Sequence, residues 1–89
     1  MRPDEIRAHV RKQPFVPFRV FLSDGSHYDV LHHDFMLVGR REVIVGIAES
    51  ADKFPQRNAH LDPMHITRIK QINGKGNGSQ TAAQKDDGN

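Results

Sequence analysis

The chain has 89 residues, enough for a small domain that buries only about 60% of the surface its unfolded form exposes, so any core is thin. Thirteen Lys and Arg against eleven Asp and Glu leave a formal charge of +2, too small to mark a dedicated polyanion binder. The absence of cysteine removes disulfides and thiolate metal ligands from consideration.

The opening stretch, "MRPDEIRAHVRKQ", carries the marks of a short helix. Pro3 suits a first helical position, Asp4 and Glu5 sit beside the positive end of the helix dipole, and Arg11 and Lys12 sit beside the negative end. Gln13-Pro14 stops it. Ile6 and Val10 stand four apart and share a face, so the helix should lie on an apolar surface. The same stretch is charged throughout and has no apolar run of signal-peptide length. Nothing in the chain approaches the ~20 apolar residues that cross a bilayer, so the expectation is a cytoplasmic protein with no membrane partner.

In "PFRVFLSDGSHYDVLH", Phe18, Val20 and Leu22 alternate with Arg19, Phe21 and Ser23, the period of a half-buried strand. Asp24-Gly25 marks a tight hairpin turn, and Tyr28 and Val30 belong to the returning strand. "FMLVGRREVIVGI" repeats the arrangement as a second hairpin about a polar turn at residues 39–42. Residues 48–58 read as a polar loop. In "AHLDPMHITRIKQI" the three-residue spacing of Ile66, Ile69 and Ile72 leaves a terminal helix open. The β-branched content favours two short strands, at residues 59–62 and 67–72, joined by a turn at Pro63. From residue 73 onward, "NGKGNGSQTAAQKDDGN" lacks any large apolar side chain and reads as a disordered tail. Residues 1–72 then form the single domain.

A helix followed by about five short strands, with a hairpin first and a tight turn before the last strand, resembles the Sm and Sm-like small barrels over residues 4–72. "VFLSDGSHYDV" is similar to that family's first hairpin, "DFMLVGRREVIVG" to its middle strands, and "HLDPMHITRIKQI" to its last strand pair. The fold class expected is therefore mostly β with one amino-terminal helix, as a five-stranded antiparallel open barrel or strongly bent sheet. The resemblance also implies single-stranded RNA binding, with His33 and Asp34 in the loop that contacts bases. Arg40 and Arg41, at a hairpin tip, would supply phosphate contacts. The family's loop asparagine and its Arg-Gly pair have no counterpart in "HHDFML" or "LDPMHI", so uridine selectivity is not implied. The phrase "PFVPFRVFLSDGSHYDV" also resembles a group of small uncharacterised bacterial proteins, which implies no activity.

The chemistry-bearing residues concentrate in "VLHHDFML". If this is strand, His32 and His33 point to opposite faces, whereas His32 and Asp34 share one. His60 or His65 would then complete a set of two histidines and a carboxylate, the remote reading of a metal-binding protein. The preferred reading is a polar turn in which Asp34 accepts backbone bonds before Phe35 re-enters the core, so no metal or cofactor is expected. Ser23, Ser26 and His27 are neighbours without the spacing of a catalytic triad, and the chain is not read as an enzyme. Phe15, Phe18 and Phe21 are read as core and helix-packing side chains. What remains is an interaction module that assembles with itself or a protein partner through an exposed strand edge.

Overall fold

The computed structural model describes residues 1–72, in which helix α1 (Pro3–Arg11) precedes six strands: β1 (Phe18–Leu22), β2 (His27–Val30), β3 (Met36–Val38), β4 (Val43–Ile47), β5 (Arg57–Leu61) and β6 (Ile66–Gln71). Single 3₁₀ turns at His33–Phe35 and Pro63–His65 introduce β3 and β6. The tail expected from residue 73 lies outside the described residues.

Helix α1 begins at Pro3 and carries Asp4 and Glu5 in its first turn, His9 and Arg11 in its last. Glu5 reaches back to accept the Arg2 N–H at 3.1 Å. This is half of a capping box, because an arginine side chain has no acceptor with which to return the bond. Ile6 is fully buried and Val10 packs against the same cluster, as their shared face requires. Arg7 fastens the helix to β3 by donating from Nη2 to the Val38 carbonyl at 3.2 Å. The Met1 ammonium donates to the carbonyls of Pro63 and Ile66 at 2.8 and 3.0 Å.

The strands form two antiparallel three-stranded sheets, ordered β2-β1-β6 and β3-β4-β5. The β1–β2 turn places Gly25 at a φ of 91°, a conformation that disfavours a side chain. Asp24 braces the turn: its Oδ1 accepts from the Ser26 hydroxyl at 2.6 Å and the Ser26 N–H at 2.9 Å. Those bonds, the hydroxyl's first, hold its carboxyl below the usual aspartate range. Across the hairpin Arg19 faces Asp29 and clasps it with two bonds of 2.6 and 3.0 Å. On the other side of β1 the register slips between Phe21 and Leu22, and the Thr67 hydroxyl donates to the Phe21 carbonyl at 3.2 Å within the irregularity.

Every element feeds one core. Ile6 comes from α1, Phe18 and Val20 from β1, Val30 from β2, Met36 from β3, Val43 and Val45 from β4, Leu61 from β5 and Ile66 from β6. The alternation in β1 and β4 sends one face of each central strand inward. Leu22 and Tyr28 pack on the cluster's flank, as does Phe15. Phe21, expected in the core, stands outside it, with the Arg68 guanidinium 3.9 Å above its ring.

The β-rich fold with one leading helix agrees with the sequence reading, and the last segment is strand rather than helix. Two expectations need correction. Among the described residues there are six strands in two sheets rather than five in one open barrel or bent sheet. The cause is the turn at His33–Phe35, which interrupts the chain between β2 and β3, so the two strands belong to different sheets. That turn also shifts the phase of the apolar pattern. Met36, not Phe35, enters the core, and Phe35 is left half-buried. No helix among the described residues is long and apolar enough to cross a membrane.

Candidate functional site

The turn at His33–Phe35 gathers the side chains that the sequence singled out. His32, still extended, precedes it and accepts the Asp34 N–H on Nδ1 at 3.1 Å, while its carbonyl accepts the Phe35 N–H at 2.9 Å. The turn is thus capped by a histidine in the way an aspartate or asparagine usually caps one. His33 Nδ1 lies 3.1 Å from Asp34 Oδ1, and His32 Nδ1 lies 3.6 Å from Asp34 Oδ2. The two imidazoles stack, with centroids 4.4 Å apart and planes inclined by 29°. Phe35 flanks the His32 ring and Phe15 meets the His33 ring edge-on.

The polar turn was expected, but its internal bonding differs. Asp34 binds the turn with its backbone N–H, and its carboxylate faces the histidine rings instead of accepting backbone bonds. Strand alternation, the reason for separating His32 from His33, does not apply where the chain turns. The two rings therefore stand on the same side. Donor atoms of His32, His33 and Asp34 all lie within 4.8 Å of one another. The histidines that the remote metal-binding reading would add to Asp34 are elsewhere: His60, on β5, bonds Glu42, and His65 Nδ1 stands 3.3 Å from the Ser23 hydroxyl.

Beside this turn lies an open cleft of about 370 Å³. His32, Asp34 and Phe35 form one wall, and residues 51–55 of the β4–β5 loop form the other. Phe54, at its rim, is 92% exposed. Asp52 accepts a bond from the Ser50 hydroxyl at 2.6 Å, which holds its carboxyl below the usual range. Pro55 packs directly over Gly46, which fixes the loop against β4. In sequence this loop reads as polar, and the apolar pair Phe54-Pro55 within it is the signal that marks the cleft wall.

Arg40 and Arg41 occupy the β3–β4 turn and are exposed, as expected of a hairpin tip. They do not join His33 and Asp34. The three residues of β3 separate the two pairs, on the order of 10 Å or more of extended chain. Arg40 instead borders a shallow hollow of about 330 Å³ with Arg2, Arg7, Pro3 and Asp4. This juxtaposition of helix start and hairpin tip was not legible from spacing alone.

Comparison with protein-family models, curated proteins and solved structures gave no match. The functional reading therefore rests on this geometry.

Proposed function

We propose that the chain is a non-enzymatic assembly module that joins a second copy or a protein partner by strand addition at β5 and β6. The observation that carries this reading is that β5 and β6, consecutive in the chain, each have one edge without a strand partner among the described residues, with the Met1 ammonium taking up the Ile66 carbonyl at the start of β6. β5 ends one sheet and β6 ends the other, and the turn at Pro63–His65 joins them. A strand docked on either edge would satisfy a row of backbone donors and acceptors and cover a thin core. Met64, at the joining turn, is 83% exposed and offers an apolar contact there. Pairing β5 of one copy with β6 of the next is head-to-tail, a geometry that closes into a ring or extends as a filament. Arg57, Arg68 and Lys70 guard these edges against indiscriminate pairing and favour an incoming strand with acidic residues.

Sedimentation at micromolar concentration tests the proposal. Species larger than one chain are expected, shifted toward monomer by Met64→Asp without change in the circular dichroism spectrum. A strict monomer that captures no partner would overturn it.

A second reading, single-stranded RNA binding in the Sm-like manner, draws support from the shallow hollow that gathers Arg2, Arg7 and Arg40, with Asp4 pairing with Arg7 at its edge. Fluorescence anisotropy with short oligomers at two salt concentrations separates the readings. Arg40→Ala with Arg41→Ala should weaken binding about equally for every sequence, with a shallower salt dependence. Absence of binding at low salt would leave assembly alone.

A further inference from the structure

We propose that His32, His33 and Asp34 form a binding site for one divalent first-row transition cation such as zinc. The inference is independent of the assembly reading and rests on three observations.

The first is the donor set. Two imidazoles and a carboxylate suit zinc, nickel or cobalt and not the hard cations calcium and magnesium, which prefer oxygen ligands. Among the described residues this is the group in which three such side chains converge. The second is reach. Their donor atoms lie within 4.8 Å, whereas ligands on a tetrahedral zinc with bonds near 2.0–2.1 Å stand about 3.3 Å apart. The side chains of His32, His33 and Asp34 are 40, 52 and 72% exposed, so rotation about their own torsions closes the gap without disturbing the core.

The third is room for the rest of the coordination shell. His32 and Asp34 line the cleft, so water or a small anionic ligand can complete the sphere from that side. The stacked rings are already ordered by their neighbours, His32 by the Asp34 N–H and Phe35, His33 by Asp34 and Phe15. In ligation through Nε2 the Asp34 carboxylate would orient the His33 ring from Nδ1, the arrangement that raises imidazole basicity in metal centres, whereas His32 would exchange its bond from the Asp34 N–H for the cation. In ligation by the carboxylate itself, the same three residues serve as direct ligands. Either way the site is held in a segment of three consecutive residues, on a turn that keeps the bond from the Phe35 N–H to the His32 carbonyl.

Isothermal titration of the full chain with zinc chloride, repeated with cobalt chloride and followed by visible absorption, tests the proposal. One cation per chain is expected, with a cobalt spectrum of nitrogen-containing low-coordinate geometry and no comparable binding of calcium or magnesium. His32→Ala and His33→Ala should each weaken zinc by at least about tenfold, and Asp34→Asn should weaken it as well, all with unchanged circular dichroism. His60→Ala, which removes the imidazole paired with Glu42, should leave the affinity unchanged. Failure of the wild-type chain to bind, or binding that survives His32→Ala and His33→Ala or is lost in His60→Ala, would overturn it.

Discussion

Phe18→Ala should cost about 3–5 kcal/mol, a large share of what a domain this small can hold. Phe18 is the largest of the fully buried side chains, and it lies where α1 meets the first sheet: the His9 ring approaches it at 5.4 Å and the Phe15 ring at 5.9 Å. Removing it opens a cavity that neither neighbour can fill. Phe15 is held in part by its packing on the core and against the His33 ring, and valine makes up four of the eight remaining core residues. At roughly 4–8 °C per kcal/mol for a chain of this length, the thermal midpoint should fall by ~15 °C or more. Phe54→Ala is the internal control. Its ring is exposed, so the midpoint should move by no more than ~0.5 kcal/mol equivalent. Phe35→Ala should fall between the two. Equal midpoints for the Phe18 and Phe54 variants would show that the core does not depend on Phe18.

Gly46→Ala should destabilise the protein by about 1–3 kcal/mol although it adds a single methyl group. A Cβ at position 46 would lie 2.6 Å from Pro55 Cγ and 2.9 Å from Pro55 Cβ, well inside van der Waals contact. The proline ring cannot rotate away, and its loop is tied down one residue later by the Gln56 N–H donating to the Ile47 carbonyl at 3.0 Å. The loop as a whole has to lift, so the wall of the cleft opposite His32 moves with it. Pro55→Gly removes the obstructing atoms, and the double variant should be less destabilised than the two single changes combined. A Gly46→Ala protein with the wild-type melting midpoint would sink the argument.

The hairpins were legible because their turns are written in residue chemistry. Asp24-Gly25 satisfies a positive φ, and β1 keeps a two-residue alternation that survives to the buried pair Phe18 and Val20. The helix was legible from Pro3, the flanking charges and the spacing of Ile6 and Val10. The sheet count was harder to read, since "VLHHDFML" gives an apolar run whether it is strand or turn. A 3₁₀ turn capped by a histidine has no strong propensity signature, yet it decides which sheet β3 joins. The same turn hid the convergence of His32 with His33, which any strand reading places on opposite faces. The cleft and the arginine hollow were hidden for another reason: each is built from segments distant in sequence, and spacing carries no information about such meetings.

The strand order β2-β1-β6 has a kinetic consequence. β1 gains its first neighbour from the adjacent hairpin, but its second neighbour is the last strand, with Thr67 and Phe21 meeting across 46 positions. During synthesis, while the whole second sheet emerges, β1 therefore presents an open edge that nothing local can close. Closing that long loop is the step that has to precede a complete core, since Ile66 enters it only with β6. Arg19, the second residue of β1 and held by Asp29 from the early hairpin, places a charge pair on the outer face of the waiting strand. Charged side chains on an open strand disfavour its pairing with another chain, so Arg19→Val with Asp29→Val should raise aggregation during refolding, read by light scattering.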